Sequence, residues 1–122
     1  MVYTIAVTPD GKTALSGARD KDIHVWELAT GKEVWRLRGH AEQVYQVAMS
    51  RDGKQIASAS YDKPVRVWAM KSGKELKRFS GHADGIQGIC FTPDGRFVFS
   101  ASWDKTVRKW RLPVVAPGAV KK

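Results

Sequence analysis

The segments LSGARDKDIHVW, ASASYDKPVRVW and FSASWDKTVRKW end at Trp26, Trp68 and Trp110, so each tryptophan follows the last by 42 residues. Asp20, Asp62 and Asp104 keep one place, six residues before those tryptophans, and the turn sequences TPDGK, SRDGK and TPDGR begin in register at Thr8, Ser50 and Thr92. Columns that stay aligned without a gap at such a period mark a repeat architecture. Each unit is then one supersecondary element that buries its apolar faces only against its neighbours. Function on such a chain belongs to the assembled array.

Within a unit, short β-rich segments alternate with turn residues, and no stretch holds a helical period long enough to compete. The middle unit predicts strands over Val44 to Met49, Gln55 to Ser60, Val65 to Met70 and Leu76 to Ser80. Asp and Gly of RDGK suit a tight hairpin between the first two, and Pro9 and Pro93 precede the same turn in the other units. Asp62-Lys63 and Ser72-Gly73 supply the remaining links. Four strands joined so closely form an antiparallel meander, the shape of a propeller blade, and the expected fold is all-β.

Composition agrees with a folded chain. Of 122 residues, 43% are hydrophobic and 27% charged, which excludes the polar, charge-dominated make-up of a disordered segment. No apolar run reaches the roughly 18 residues of a membrane span, and the start, MVYTIAVTPDG, lacks a basic leader, so a soluble protein is expected. Cys90 falls in the column of Ala6 and Ala48 and is read as a small buried packing residue. A lone cysteine forms no intrachain disulfide, which fits a reducing, cytoplasmic setting.

These features together resemble the WD40-repeat family of β-propellers over about residues 2 to 112. They are Gly39-His40 and Gly81-His82 opening a unit, the PDG turn, the SAS-x-D segment and the tryptophan closing strand three. The Trp-Asp pair that names the family is absent, since Glu27, Ala69 and Arg111 follow the three tryptophans, and the first unit has no Gly-His. The resemblance implies three blades, about 1–38, 39–80 and 81–112, the last with an incomplete fourth strand, and a Pro-containing basic tail over 113–122. It also implies a buried hydrogen-bonded tetrad in each blade. The middle blade offers His40, Ser58, Asp62 and Trp68, the last His82, Ser100, Asp104 and Trp110, and the first only Ser16, Asp20 and Trp26. Buried together these groups satisfy one another, whereas each left unpaired costs about 1–3 kcal/mol.

Ser, His and Asp also compose a hydrolase triad, but roles and geometry define one. A nucleophile needs exposure beside an oxyanion hole, and these serines sit mid-strand with an indole N–H competing for their oxygen. The tetrads are therefore read as structural and the protein as no enzyme. Gly11-Lys12-Thr13 resembles the end of a phosphate-binding loop, but a hairpin follows it and Ala6 stands where that loop needs glycine. His24 lies in the column of Arg66 and Arg108 and is read as solvated. No cluster has metal-ligand spacing, so neither metal nor cofactor is expected.

The net charge is +9. Residues 1–38 carry six basic and five acidic groups, 39–80 eight and four, and 81–122 seven and three. Much of the excess, including Arg66, Lys71, Lys74, Lys77, Arg78, Arg108, Lys109 and Arg111, falls on strands three and four or their link. A solvated rim that also blunts an edge strand is the first reading, and a nucleic-acid or acidic-protein contact the second. A more specific contact surface is expected just before each tetrad aspartate, at Arg19, Tyr61 and Trp103. With Tyr3, Tyr45 and Gln87 from the starts of the first strands, these residues are of the types that anchor interfaces. The alternative is that the aromatic groups only cover neighbouring blades.

Three blades do not close a ring of the seven or eight usual in proteins that resemble this one. The segment PVVAPGAVKK after Leu112 supplies at best a short edge strand, because two prolines interrupt it. The expectation is a non-enzymatic protein-interaction scaffold that closes by cyclic self-association, three copies being favoured over two, or by belonging to a longer chain. Alternatives are a WD-repeat fragment appended to a kinase or hydrolase encoded upstream, and a basic nucleic-acid-binding propeller.

Overall fold

The computed structural model describes residues 2–38, 40 and 42–112, and these form eleven strands in three antiparallel sheets. The first blade holds β1 (Val2–Val7), β2 (Thr13–Ala18), β3 (Ile23–Glu27) and β4 (Lys32–Leu37) in sequential order. The second holds β5 (Val44–Met49), β6 (Gln55–Ser60), β7 (Val65–Ala69) and β8 (Glu75–Phe79). The third holds β9 (Ile86–Phe91), β10 (Phe97–Ser102) and β11 (Val107–Arg111). The strands expected in the middle unit stand where the pattern placed them, with only the third and fourth shifted at their ends. Gly39 and the tail beyond Leu112, including any strand there, lie outside the described residues.

Side-chain hydrogen bonds set the hairpins. Asp10, Asp52 and Asp94 each accept from the backbone N–H two residues on and from the hydroxyl of Thr8, Ser50 or Thr92. The following Gly11, Gly53 and Gly95 take φ of +73°, +74° and +72°, a region open to glycine at little cost. The hydroxyl bonds hold all three aspartate carboxyls below their ordinary range.

The blades stack through two apolar layers. Leu15, Ile23, Val25 and Leu37 of the first blade meet Val44, Val47, Ile56 and Trp68 of the second. Ala57, Ala59, Val65 and Val67 of the second meet Ile86, Ile89, Val98 and Leu112 of the third. Each large aliphatic group buried this way contributes about 1.5–3 kcal/mol. Polar side chains also cross the gap, since the backbone N–H of Ile89 donates to Gln46 Oε1 at 2.8 Å and that of Val47 to Thr4 Oγ1 at 3.4 Å.

The repeat columns show what the two outer faces lack. Ile5 is 68% exposed, whereas Val47 and Ile89 in its column are 4% and 5% exposed. On the opposite end Val107 is 70% exposed, whereas Ile23 and Val65 are both 0%. Val7, Leu28 and Cys90 are exposed for the same reason. The expectation for Cys90 is thereby corrected: Ala6 and Ala48 pack against the blade that follows, and among the described residues none follows Cys90.

Candidate functional site

In the middle blade Trp68 on β7 points its indole N–H at Ser58 Oγ on β6, 2.9 Å away. Ser58 lies 2.5 Å from His40 Nε2, and His40 Nδ1 lies 3.0 Å from Asp62 Oδ2. With the imidazole proton assigned to Nδ1, every group is satisfied in series: indole to hydroxyl, hydroxyl to Nε2, and Nδ1 to carboxylate. The third blade repeats this, with Trp110 to Ser100 at 2.7 Å, Ser100 to His82 at 2.7 Å and His82 to Asp104 at 2.9 Å. In the first blade Trp26 donates to Ser16 at 2.9 Å.

Asp20 is held differently. His24 sits 2.7 Å from Asp20 and also contacts Glu33 on β4, and it is only 8% exposed. The expectation that His24 is solvated is corrected, because the acidic Glu33 column stands across the strand pair from it. Arg66 is corrected likewise. It is buried, not part of a solvated rim, and its guanidinium donates to Glu75 at 3.0 Å while lying 3.4 Å from Asp62 and 3.1 Å from His40. Glu75 and Glu33 each also accept from an arginine three residues on, Arg78 and Arg36. This β3-cation to β4-glutamate latch was not anticipated. Its sequence signal is the pair Glu33-x-x-Arg36 and Glu75-x-x-Arg78, again 42 residues apart.

The two histidines titrate in opposite senses. Burial works against charge on His24, but the hydrogen bonds its ring donates to Glu33 and Asp20 outweigh it and raise its pKa above the ordinary 6.5. Burial pushes His40 below 6.5 despite Asp62, and the Arg66 charge adds to that. The stabilisation from His24 is therefore full below its unfolded value and lost as pH rises through the raised folded value. That from His40 is full above 6.5 and lost as pH falls toward the lowered folded value. His24→Gln is expected to lower Tm most near pH 6 and progressively less toward pH 9, measured against the parent at each pH. A Tm difference independent of pH contradicts the assignment. Asp104 needs no arginine, because the Thr106 hydroxyl, with His82 and the backbone N–H groups of Ala83 and Thr106, holds its carboxyl well below the usual range.

No tetrad serine is free for nucleophilic work. Ser58 and Ser100 are 0% and 1% exposed, and each oxygen already accepts an indole N–H. Gly11 to Thr13 lie at the β1–β2 hairpin with no helix after them. Among the described residues no group of three or more His, Cys, Asp or Glu is placed to hold a metal, and no helix is long and apolar enough to cross a membrane.

Of the residues expected to form a contact surface, three aromatic groups meet at the junction of the last two blades. Tyr45 and Tyr61 set their rings edge-on to Trp103, with centroids 5.0 Å and 6.0 Å away. The buried Gly85 lies beneath them, where an added Cβ would fall 2.7 Å from the Tyr61 ring. Tyr61 and Trp103 remain 50% and 43% exposed. Arg19 and Gln87 are exposed and outside this cluster, and the Tyr3 side chain lies outside the description.

Comparison with known proteins places this geometry. The family described as "WD domain, G-beta repeat" matches at residues 1–27, 31–69 and 73–111. The chain is 38% identical over 42 residues to the ribosome biogenesis protein erb1 of Neurospora crassa, covering 34% of this chain and 5% of that protein. It is 42% identical over 40 residues to the probable serine/threonine-protein kinase PkwA of Thermomonospora curvata, covering 33% and 5%. It is 40% identical over 40 residues to the small ribosomal subunit protein RACK1z of Arabidopsis thaliana, covering 33% and 12%. Thus the matches span only a small part of these relatives. The structure of U3-55K superposes with a TM-score of 0.87 at 30% identity, over 91% of this chain and 36% of that one. The RRP9 WD40 repeats give 0.87 and 30%, over 91% and 35%. With three matched repeats, three stacked antiparallel blades and these neighbours, the chain belongs to the WD40-repeat family of β-propeller proteins.

Proposed function

We propose that the chain is a non-enzymatic protein-interaction scaffold whose partner engages the Tyr45, Tyr61 and Trp103 surface, and whose two outer blade faces are completed by copies of itself. The half-exposed Tyr61 and Trp103 carry the reading, because aromatic groups held rigid at a packed junction are the usual anchors of interfaces. Relatives described as ribosome biogenesis and small ribosomal subunit proteins support a role within larger assemblies. A cytoplasmic location belongs to the same proposal and is supported by a free thiol at Cys90. The match to a probable kinase supports a second reading, in which these repeats are appended to an enzyme.

The contact surface is tested by affinity capture with the parent and with Trp103→Ala, both at matched Tm. Loss of an anchor of this kind costs about 2 kcal/mol, roughly a thirtyfold weaker complex. Partners retained equally by the two proteins contradict the assignment. Under the appended-enzyme reading, a kinase or hydrolase domain precedes Met1 in the complete reading frame.

A further inference from the structure

The fourth-strand position of the third blade carries a chemical specification. In the first two blades the cation one residue into β3 or β7 reaches across to a glutamate on the adjacent strand, His24 to Glu33 and Arg66 to Glu75. The register fixes the pattern. Glu33 and Glu75 stand opposite the tryptophans Trp26 and Trp68, and Arg36 and Arg78 stand opposite His24 and Arg66. In the third blade the same cation is Arg108, which is exposed, makes no ion pair among the described residues, and lies over the Trp110 ring at 5.9 Å and beside Gly81. Asp104 does not hold it, being occupied by Thr106, His82 and Ala83.

The residues after Leu112 offer no counterpart, because PVVAPGAVKK contains neither Asp nor Glu and Pro117 falls in the column of Glu33 and Glu75. A second copy is no donor either. The Glu-x-x-Arg segments of this sequence are those of β4 and β8, and both already pair with β3 and β7. We propose that the outer edge of β11 is a docking site for an extended segment of a partner protein, whose glutamate pairs with Arg108 opposite Trp110 and whose arginine follows three residues later. Strand addition of this kind takes its affinity from main-chain hydrogen bonds and its specificity from side chains at fixed register. Arg108 supplies that specificity as a bidentate-capable donor with no carboxylate paired to it among the described residues.

The test titrates the full chain into a fluorescently labelled peptide of the sequence GKELKRFS, read by anisotropy at low salt. Three measurements accompany it: the same peptide with its glutamate changed to glutamine, the Arg108→Glu protein, and that protein with a peptide carrying lysine for glutamate. Saturable binding is expected, at least tenfold weaker for the glutamine peptide, lost in Arg108→Glu and restored by the lysine peptide. Since Arg108 is exposed, Arg108→Glu is expected to keep the parent circular dichroism. Equal affinity of the glutamate and glutamine peptides overturns the proposal. So does absence of binding to the full chain, the result if residues 113–122 already cover the edge. Failure here leaves the Trp103 surface untouched, since that surface is read by a different variant and a different partner.

Discussion

Asp62→Ala melts far below the parent, with a loss of about 3–5 kcal/mol, because it strips a buried carboxylate from His40 Nδ1 and takes from the buried Arg66 guanidinium one of the two carboxylates it faces, Glu75 being the other. His40 Nδ1 and the Arg66 guanidinium both face that carboxylate, and the side chains of His40, Arg66 and Asp62 are 1%, 5% and 8% exposed. For a chain of this size such a loss lowers Tm by well over 10 °C, on the order of 4–8 °C for each kcal/mol. Asp20→Ala is the internal reference. Its side chain is 49% exposed, so its ion pair with His24 is screened and its removal is expected to cost under about 1 kcal/mol. Urea unfolding of both variants decides the matter, and equal losses at Asp62 and Asp20 contradict the buried-network reading.

Ile5→Asp and Val107→Asp, made singly, are expected to abolish self-association while leaving the fold of each blade intact. Both positions are exposed in the isolated chain, so a charge there meets water. Each lies in a column that elsewhere is buried between blades, at Val47 and Ile89 or at Ile23 and Val65, and the proposed association would bury it likewise. Burying an unpaired carboxylate in such a layer costs several kcal/mol, enough to shift the association by at least a hundredfold. The proposed contact is heterologous, first blade of one copy against last blade of the next, so one substitution on either face is expected to suffice. Sedimentation velocity of the parent and the two variants measures it. Variants that sediment like an associated parent contradict the assignment of these faces.

Much of this was legible in the sequence because the repeat supplies its own controls. Three aligned copies locate the strands, the Asp-Gly hairpins and the tetrad positions, since local turn chemistry and alternation fix them before any tertiary contact forms. What escaped the sequence depends on neighbours. Cys90, Ala6 and Ala48 share a column, but burial there requires a blade in front, and among the described residues only Ala6 and Ala48 have one. His24 and Arg66 read as rim residues because strand period alone does not reveal an acid on the adjacent strand. The register that brings Glu33 and Glu75 to them arises from irregularities in the β3–β4 and β7–β8 pairings, between Val25 and Trp26 and between Val67 and Trp68. Residue type alone points to six positions for a contact surface, yet the structure gathers only Tyr45, Tyr61 and Trp103 from that group, because Arg19 belongs to a blade one step further round.

The central claim is that three stacked WD40 blades with apolar outer faces complete themselves with further copies. Multi-angle light scattering of the chain at micromolar concentration tests it most directly. The account predicts a discrete mass of a small integer number of chains, three before two, that falls to one chain on dilution or with Val107→Asp. A cooperatively folded species with the mass of a single chain, unchanged as concentration rises, would contradict it.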